Sequence, residues 1–170
     1  MELIQLTTDY ELKPFDCGDA DLNGFLLNDA KLYAEKNLAF TYLLLGEEGE
    51  IIAYYSLLND KISKRDTNNA TWRKFKKMFP HQKHFNSYPD IKIGRFAVST
   101  TYKGQGLGSE LMASIKLDVS EKAYYSAFRF LTVDAYLSAV PFYERNDFKM
   151  VLSDDDDEHT RMMYFDIVYL

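Results

Sequence analysis

Residues 91–115 read IKIGRFAVSTTYKGQGLGSELMASI, and this run decides how the chain folds. Ile91 to Val98 has the apolar, β-forming character of a buried strand. A short polar stretch with glycines at 104, 106 and 108 follows, and then an amphipathic pattern that predicts a helix beginning near Gly106. Glycines so spaced let successive backbone N–H groups converge without a Cβ in the way, and the helix start adds its positive dipole end. Such a turn suits a diphosphate; the same spacing also fits a tight turn that holds nothing. Three familiar phosphate patterns do not fit. A dinucleotide fold needs a third glycine where Ser109 stands. A nucleotidase phosphate loop ends in Gly-Lys-Ser or Gly-Lys-Thr, whereas this run continues Gly108-Ser109-Glu110. A protein kinase needs a longer chain and further motifs.

Upstream, Glu2 to Leu6 is a short strand candidate, and Phe15-Asp16-Cys17-Gly18 is a turn. Asp19 or Asp21 can cap a helix that runs to about Lys36, with Leu22, Phe25, Leu26, Ala30 and Tyr33 on one face. Phe40–Leu45 and Ile51–Leu58 flank a glycine-bearing polar turn and predict an antiparallel hairpin. Residues 59–90 interrupt the alternation of strands and helices, with a helix predicted over Asn69–Phe79. Downstream, Phe128–Asp134 is a strand, Ser138–Asn146 a short helix with Pro141 in its first turn, and Phe148–Leu152 and Arg161–Leu170 two last strands.

The 170 residues, 46% of them hydrophobic, are read as one domain (1–170) with a full core. Thirteen Tyr and twelve Phe make the chain ring-rich, which fits an aromatic core or an aromatic-lined site. The net charge of −6 gives the whole molecule no electrostatic footprint for nucleic acid. Its distribution is uneven. Lys61, Lys64, Arg65, Arg73, Lys74, Lys76, Lys77 and Lys83 face Asp66 alone between residues 61 and 84, a local balance of +7. That segment, a basic helical insertion at about 60–90, is either a solvated helix face or a docking surface for an anionic partner. Cys17 is the only cysteine, so neither an internal disulfide nor a multi-cysteine zinc site can form. His81, His84 and His159 are scattered, and the acidic run Asp154–Glu158 lacks the spaced oxygens and turning glycine of a calcium loop, so no metal is expected. The opening residues lack the pattern of a secretory signal, and no apolar stretch approaches the roughly 18 residues of a membrane span. A soluble cytoplasmic location and no membrane partner are the expectation.

The residues quoted above carry a resemblance. Lys103-Gly104-Gln105-Gly106-Leu107-Gly108 resembles the Q/R-x-x-G-x-G/A acyl-CoA signature of the GNAT (GCN5-related) N-acetyltransferases, with Lys103 in place of Gln or Arg. Phe96-Ala97-Val98 before it and Ser109-Glu110-Leu111-Met112 after it fit the same family. Pro141-Phe142-Tyr143-Glu144-Arg145-Asn146-Asp147-Phe148 is similar to its A-x-x-F-Y-x-x-x-G-F segment, with Asp147 where glycine is usual, at a turn that can require positive φ. The resemblance implies an α+β fold, a mixed and mostly antiparallel twisted sheet flanked by helices, with a splayed central strand pair holding acetyl-CoA. It implies acetyl transfer from acetyl-CoA to a primary amine by direct attack in a ternary complex. Backbone groups of Phe96, Ala97 and Val98 would hold the pantetheine and polarise the thioester. The N–H groups of Lys103, Gly104, Gln105, Gly106, Leu107, Gly108 and Ser109 would take the pyrophosphate. Tyr143 would protonate the departing thiolate, or else be a core tyrosine on an amphipathic helix. No residue stands out as general base; Asp134, at a strand end, is equally suited to a structural role.

A narrower resemblance concerns the acceptor. Phe15-Asp16-Cys17-Gly18, Leu22-Asn23-Gly24-Phe25-Leu26, Ala30, Tyr54-Tyr55-Ser56-Leu57 and Ile93-Gly94-Arg95-Phe96-Ala97-Val98 are arranged as in the GNAT toxins of toxin–antitoxin modules, which acetylate the amino group of aminoacyl-tRNA. This implies aminoacyl-tRNA as acceptor through the Lys61–Lys83 segment, a ribbon-helix-helix antitoxin as partner, and a homodimer. The acidic net charge speaks against tRNA. A small-molecule or protein amine acetyltransferase, and a catalytically idle acetyl-CoA-binding module, stay open beside it.

Overall fold

A computed structural model describes residues 1–79, 85–123, 125–152 and 157–169 of the chain. Among the described residues seven strands form one sheet in the order β1-β2-β3-β4-β5-β7-β6. They are β1 (Glu2–Gln5), β2 (Phe40–Leu45), β3 (Ile51–Ser63), β4 (Ser87–Val98), β5 (Phe130–Tyr136), β6 (Lys149–Met150) and β7 (Thr160–Asp166). The pairs β1–β2, β2–β3, β5–β7 and β6–β7 are antiparallel. The chain divides into two compact units, Met1–Leu58 with Ile93–Ser114, and Asn59–Lys92 with Ile115–Leu170. Among the described residues no helix is long and apolar enough to cross a membrane.

In the first unit, Glu2 pairs with Leu45 and Tyr42 with Tyr55, and a bulge falls between Leu44 and Leu45. Asp19 caps the following helix, its carboxylate accepting from Leu22 N at 3.0 Å, so of the two candidate caps this one is used. The helix runs as α1 (Ala20–Gly24), a π turn (Phe25–Asp29) and α2 (Ala30–Glu35). The wide turn admits one extra residue, and Phe25, Leu26 and Ala30 are all buried. They meet Leu6, Phe15, Leu43, Tyr54 and Ala97 in one apolar cluster. Tyr54 is fully buried at its centre: Phe15 meets its ring edge-on at 5.4 Å, and its hydroxyl donates to Leu22 O at 2.7 Å, which satisfies the one polar atom it brings inside.

The second unit corrects the sequence reading of residues 59–90. β3 continues through Ser63 and β4 already begins at Ser87, so the inserted segment is only residues 64–86. Exposure alternates through Asn59-Asp60-Lys61-Ile62-Ser63, and Ile62 is buried, so charge in the segment had masked a half-buried strand. α3 (Asn69–Lys77) is capped by Asn68, which accepts from Thr71 N at 2.8 Å. Its Trp72 and Phe75 pack on Ile62, Tyr88, Phe130, Val151 and Tyr164. Phe79 stacks on Tyr88 at 3.7 Å. β5 starts two residues later than predicted, at Phe130; just before it the Arg129 guanidinium grips Asp166 at 2.9 Å and also donates to Met78 O. Of the strand expected over Phe148–Leu152 only Lys149–Met150 is strand, and Val151 N adds a hydrogen bond to Met162 O at 2.9 Å. β7 ends at Asp166, and Ile167–Tyr169 turns into a short 3-10 helix. His81, Lys83, His84, Asp154 to Asp156 and Leu170 lie outside the described residues.

Candidate active site

The end of β4 leads straight into the glycine turn, and both lie in the first unit. Ala97 is buried in the apolar cluster, whereas Phe96 and Val98, on the opposite strand face, are half-buried. Ser99 N donates to Ile52 O at 2.8 Å and Thr100 N to Asp16 O at 2.9 Å. The chain then makes a 3-10 turn (Thr100–Tyr102) and reaches Gly104 with φ 78° and Gly106 with φ 83°. A Cβ at either would meet nothing within 4 Å. Glycine is therefore demanded by backbone angle and not by crowding, since a left-handed conformation costs other residues about 1–2 kcal/mol. The space beside the turn is open.

α4 (Leu107–Lys122) starts immediately after. Its first hydrogen bonds run from Ser109 N and Glu110 N to Gly106 O, at 2.9 and 3.2 Å. The amides of Leu107 and Gly108 thus precede the first intrahelical bond and point out of the helix start, while that of Ser109 is already engaged. Two left-handed glycines followed by a helix N-terminus make a concave set of backbone donors with room for an anion.

The Phe15–Gly18 turn braces this loop. Lys103 Nζ donates to Cys17 O, and Thr100 Oγ1 to Asp16 O at 3.3 Å. Asn23 holds the brace itself, with Oδ1 accepting from Cys17 N at 2.9 Å and Nδ2 donating to Asp16 Oδ1 at 2.8 Å. Lys103, which departs from the usual Gln or Arg, thus spends its ammonium on a structural bond. Tyr102 adds a 2.7 Å hydrogen bond to Glu50. Arg95 lies over the Phe25 ring at 5.1 Å and 3.7 Å from Asp21, tying β4 to α1.

Tyr143 stands in the second unit on α5 (Val140–Arg145), with Pro141 in the first turn as predicted. It is buried, edge-on to Phe142 at 5.2 Å and Phe148 at 5.3 Å. Burial pushes its phenol above the ordinary value, so the hydroxyl carries its proton throughout the neutral range. Asp147, in the glycine position of the motif, has φ 64°, the positive angle expected there. Asp134 is held by Lys92 at 2.5 Å, and Lys92 also meets Asp60 at 3.2 Å. Burial pulls Lys92 down, but its bonds to these carboxylates outweigh that and leave its ammonium above the usual lysine value. Asp90, two residues back on the same strand face, is buried; Thr132 Oγ1 donates to its Oδ1 at 2.9 Å, and its Oδ2 has no partner among the described residues. Burial pushes Asp90 up to about 7 against the opposing Thr132 bond. Sequence reasoning passed over Asp60, Asp90 and Lys92. The period-2 spacing of Tyr88, Asp90 and Lys92 places them on one face and was the available signal. Among the described residues no group of three or more His, Cys, Asp or Glu side chains could hold a metal ion.

Strand, left-handed glycine turn and helix start agree with a family-level match: residues 83–167, half of the chain, fit the acetyltransferase (GNAT) domain. The chain belongs to this family and is an acyltransferase. Among solved structures it is similar to AtaT complexed with acetyl-methionyl-tRNAfMet, at 22% identity and a TM-score of 0.80, over 99% of this chain and 95% of that one. A tyrosine-to-phenylalanine variant of KacT matches at 23% identity and TM-score 0.79, over 99% and 97% of the two chains. A tyrosine-to-phenylalanine variant of AtaT, bound to acetyl-CoA and the C-terminus of the antitoxin AtaR, matches at 21% and 0.76, over 99% and 94%. At these identities the likeness establishes a shared fold.

Proposed function

We propose that the protein moves the acetyl group of acetyl-CoA onto the amino group of aminoacyl-tRNA, as the toxin of a toxin–antitoxin pair whose antitoxin is a ribbon-helix-helix protein. The turn at Gly104 and Gly106 carries the donor half of this reading: left-handed glycines with open space beside them lead into a helix start with unspent amides. Those amides, from Lys103 to Gly108, would take the diphosphate. Main-chain groups of Phe96, Ala97 and Val98 would hold the pantetheine arm and aim a donor at the thioester oxygen.

Acetyl-CoA supplies an activated thioester. The acceptor nitrogen attacks its carbonyl carbon, an N–C bond forms, the C–S bond breaks, and the nitrogen gives up one proton. Tyr143 has the role of giving the leaving sulfur a proton, and its protonated, buried phenol suits that role. Tyrosine-to-phenylalanine variants of KacT and AtaT are among the solved structures, which directs attention to tyrosine in proteins of this fold.

For the acceptor, the supporting observations are the likeness to AtaT with acetylated tRNA and the exposed cations Lys61, Lys64, Arg65, Arg73, Lys74 and Lys77. Trp72 and Phe75 are spent on the core, so contact with tRNA would be electrostatic and not by base stacking. The net charge of −6 and the part-exposed Asp60 and Asp134 favour a second reading, a small cationic amine as acceptor.

Incubation with acetyl-labelled acetyl-CoA and charged tRNA decides between them. Label on the aminoacyl nitrogen is the expected result. Label only on members of a small-amine panel would establish the second reading, and binding of acetyl-CoA without turnover on either would mark an idle module.

A further inference from the structure

Lys116 is a lysine in a place where lysines are seldom found: on α4, only 6% exposed, in the second unit. A buried ammonium needs partners, and those of Lys116 gather around one turn. Its Nζ donates to Asn146 O, lies 3.5 Å from Asp147 Oδ2, and sits over the rings of Phe165 at 4.1 Å and Phe148 at 5.6 Å.

That turn is the C-terminal end of the Tyr143 helix. Asn146 N and Phe148 N both donate to Tyr143 O at 3.0 Å, Asp147 N donates to Glu144 O at 3.0 Å, and the Phe148 ring meets the Tyr143 ring edge-on. The left-handed Asp147 is a sparsely populated conformation, and such conformations persist where the surroundings over-determine them. Lys116 supplies that constraint from the side: it fixes the carbonyl just before Asp147, the carboxylate of Asp147 and the ring just after it. A cation at helix-terminal carbonyls is also favourably placed.

We propose that Lys116 is a positioning residue for Tyr143, and that Asp147, standing where the motif has glycine, is its matched counter-charge. The proposal rests on the reading of Tyr143 as the proton donor. In this arrangement the orientation of the phenol depends on a cation on another helix, and the loss of glycine from the motif is compensated by that cation.

Four variants test it with labelled acetyl-CoA and charged tRNA, or the small-amine panel if tRNA takes no label: Lys116→Met, Asp147→Asn, Tyr143→Phe, and Lys116→Met combined with Tyr143→Phe. Circular dichroism and calorimetry of acetyl-CoA binding accompany the rates. Tyr143→Phe is expected to lower kcat about 100-fold. Lys116→Met, which keeps the length and apolar body of the side chain, is expected to lower kcat about tenfold with the acetyl-CoA affinity unchanged. Added to Tyr143→Phe it should cost nothing further, because its effect passes through the phenol. Asp147→Asn, which tolerates positive φ but removes the counter-charge, gives a smaller fall in kcat and serves if Lys116→Met does not fold. A full tenfold loss in the Tyr143→Phe background, or unchanged kcat in both single variants, would overturn the positioning role alone. An unchanged rate for Tyr143→Phe would overturn the reading of Tyr143 and the positioning role with it.

Discussion

The two units treat polar groups in opposite ways. Among the described residues, the buried polar side chains of the first unit are Thr41 and Ser56, neither of them charged. Those of the second are Asp90, Lys116, Thr132, Asn146 and Asp166, three of them ionisable as charges. Two left-handed turns illustrate the same contrast. Gly104 and Gly106 need only the absence of a Cβ, and they leave their surroundings open. Asp147 reaches a similar angle with a side chain and a buried cation beside it. An anion site made of main-chain donors needs a rigid support that holds those donors in place. Proton chemistry instead needs side chains whose environment sets their protonation. The proposed anion site lies in the first unit and the proposed proton donor in the second.

The largest test of this contrast is the pH dependence of stability. Asp90 is pushed up to about 7, above its unfolded value, by burial. Below about pH 4 its carboxyl is neutral in both states and costs nothing; as pH rises toward 7 the unfolded state ionises first, and stability is lost through that window. Urea titrations at pH 5 and pH 8 should therefore differ by on the order of a few kcal/mol through this group. Asp90→Asn should flatten that difference. An unaltered slope would mean that the unpartnered Oδ2 is not what sets the titration.

A smaller effect is expected at the glycine turn. Gly106→Ala puts a Cβ into a φ of 83° with no clash, so only backbone angle is perturbed. Acetyl-CoA affinity should fall about tenfold by calorimetry, in line with about 1–2 kcal/mol of local strain. The thermal midpoint should move by a few degrees at most, and the pH dependence of stability should not change. If instead the whole protein loses stability and affinity is retained, the turn serves the fold alone.

The smallest effect lies in the first unit's core. Thr41 Oγ1 is buried without a hydrogen-bond partner among the described residues. Thr41→Val keeps the shape and removes that atom, and should be neutral or stabilise by about 1 kcal/mol in urea unfolding. Destabilisation by more than that would show a satisfied hydroxyl, and the contrast between the units would weaken.

Much of this was legible in the residues because local rules decide it. The strand ending at Val98, the glycine turn, the Asp19 cap and the hairpin after Phe40 all follow from patterning and turn chemistry within a few residues. The positive φ at Asp147 was legible too, because a glycine was expected there. What was not legible depends on distant partners. The extension of β3 through Ser63 was hidden by the charges of Asp60 and Lys61, since an exposed strand face carries no apolar signature. Lys116 resembles any solvated helix lysine until Phe165, Phe148 and Asn146 are seen around it. The brace of Asn23 and Lys103 on the Asp16–Cys17 turn joins segments far apart in the chain, and no spacing rule reports such a bond.

In the proposed site, backbone amides between Lys103 and Gly108 hold the diphosphate of the acyl donor. Amide NMR of the nitrogen-15-labelled protein, titrated in parallel with CoA and with pantetheine, addresses it directly, because pantetheine has the arm and thiol but no diphosphate. The expected result is that the amides of Gly104, Gly106, Leu107 and Gly108 shift with CoA and stay in place with pantetheine. Equal shifts with both ligands, or CoA binding that leaves these four amides unmoved, would contradict it.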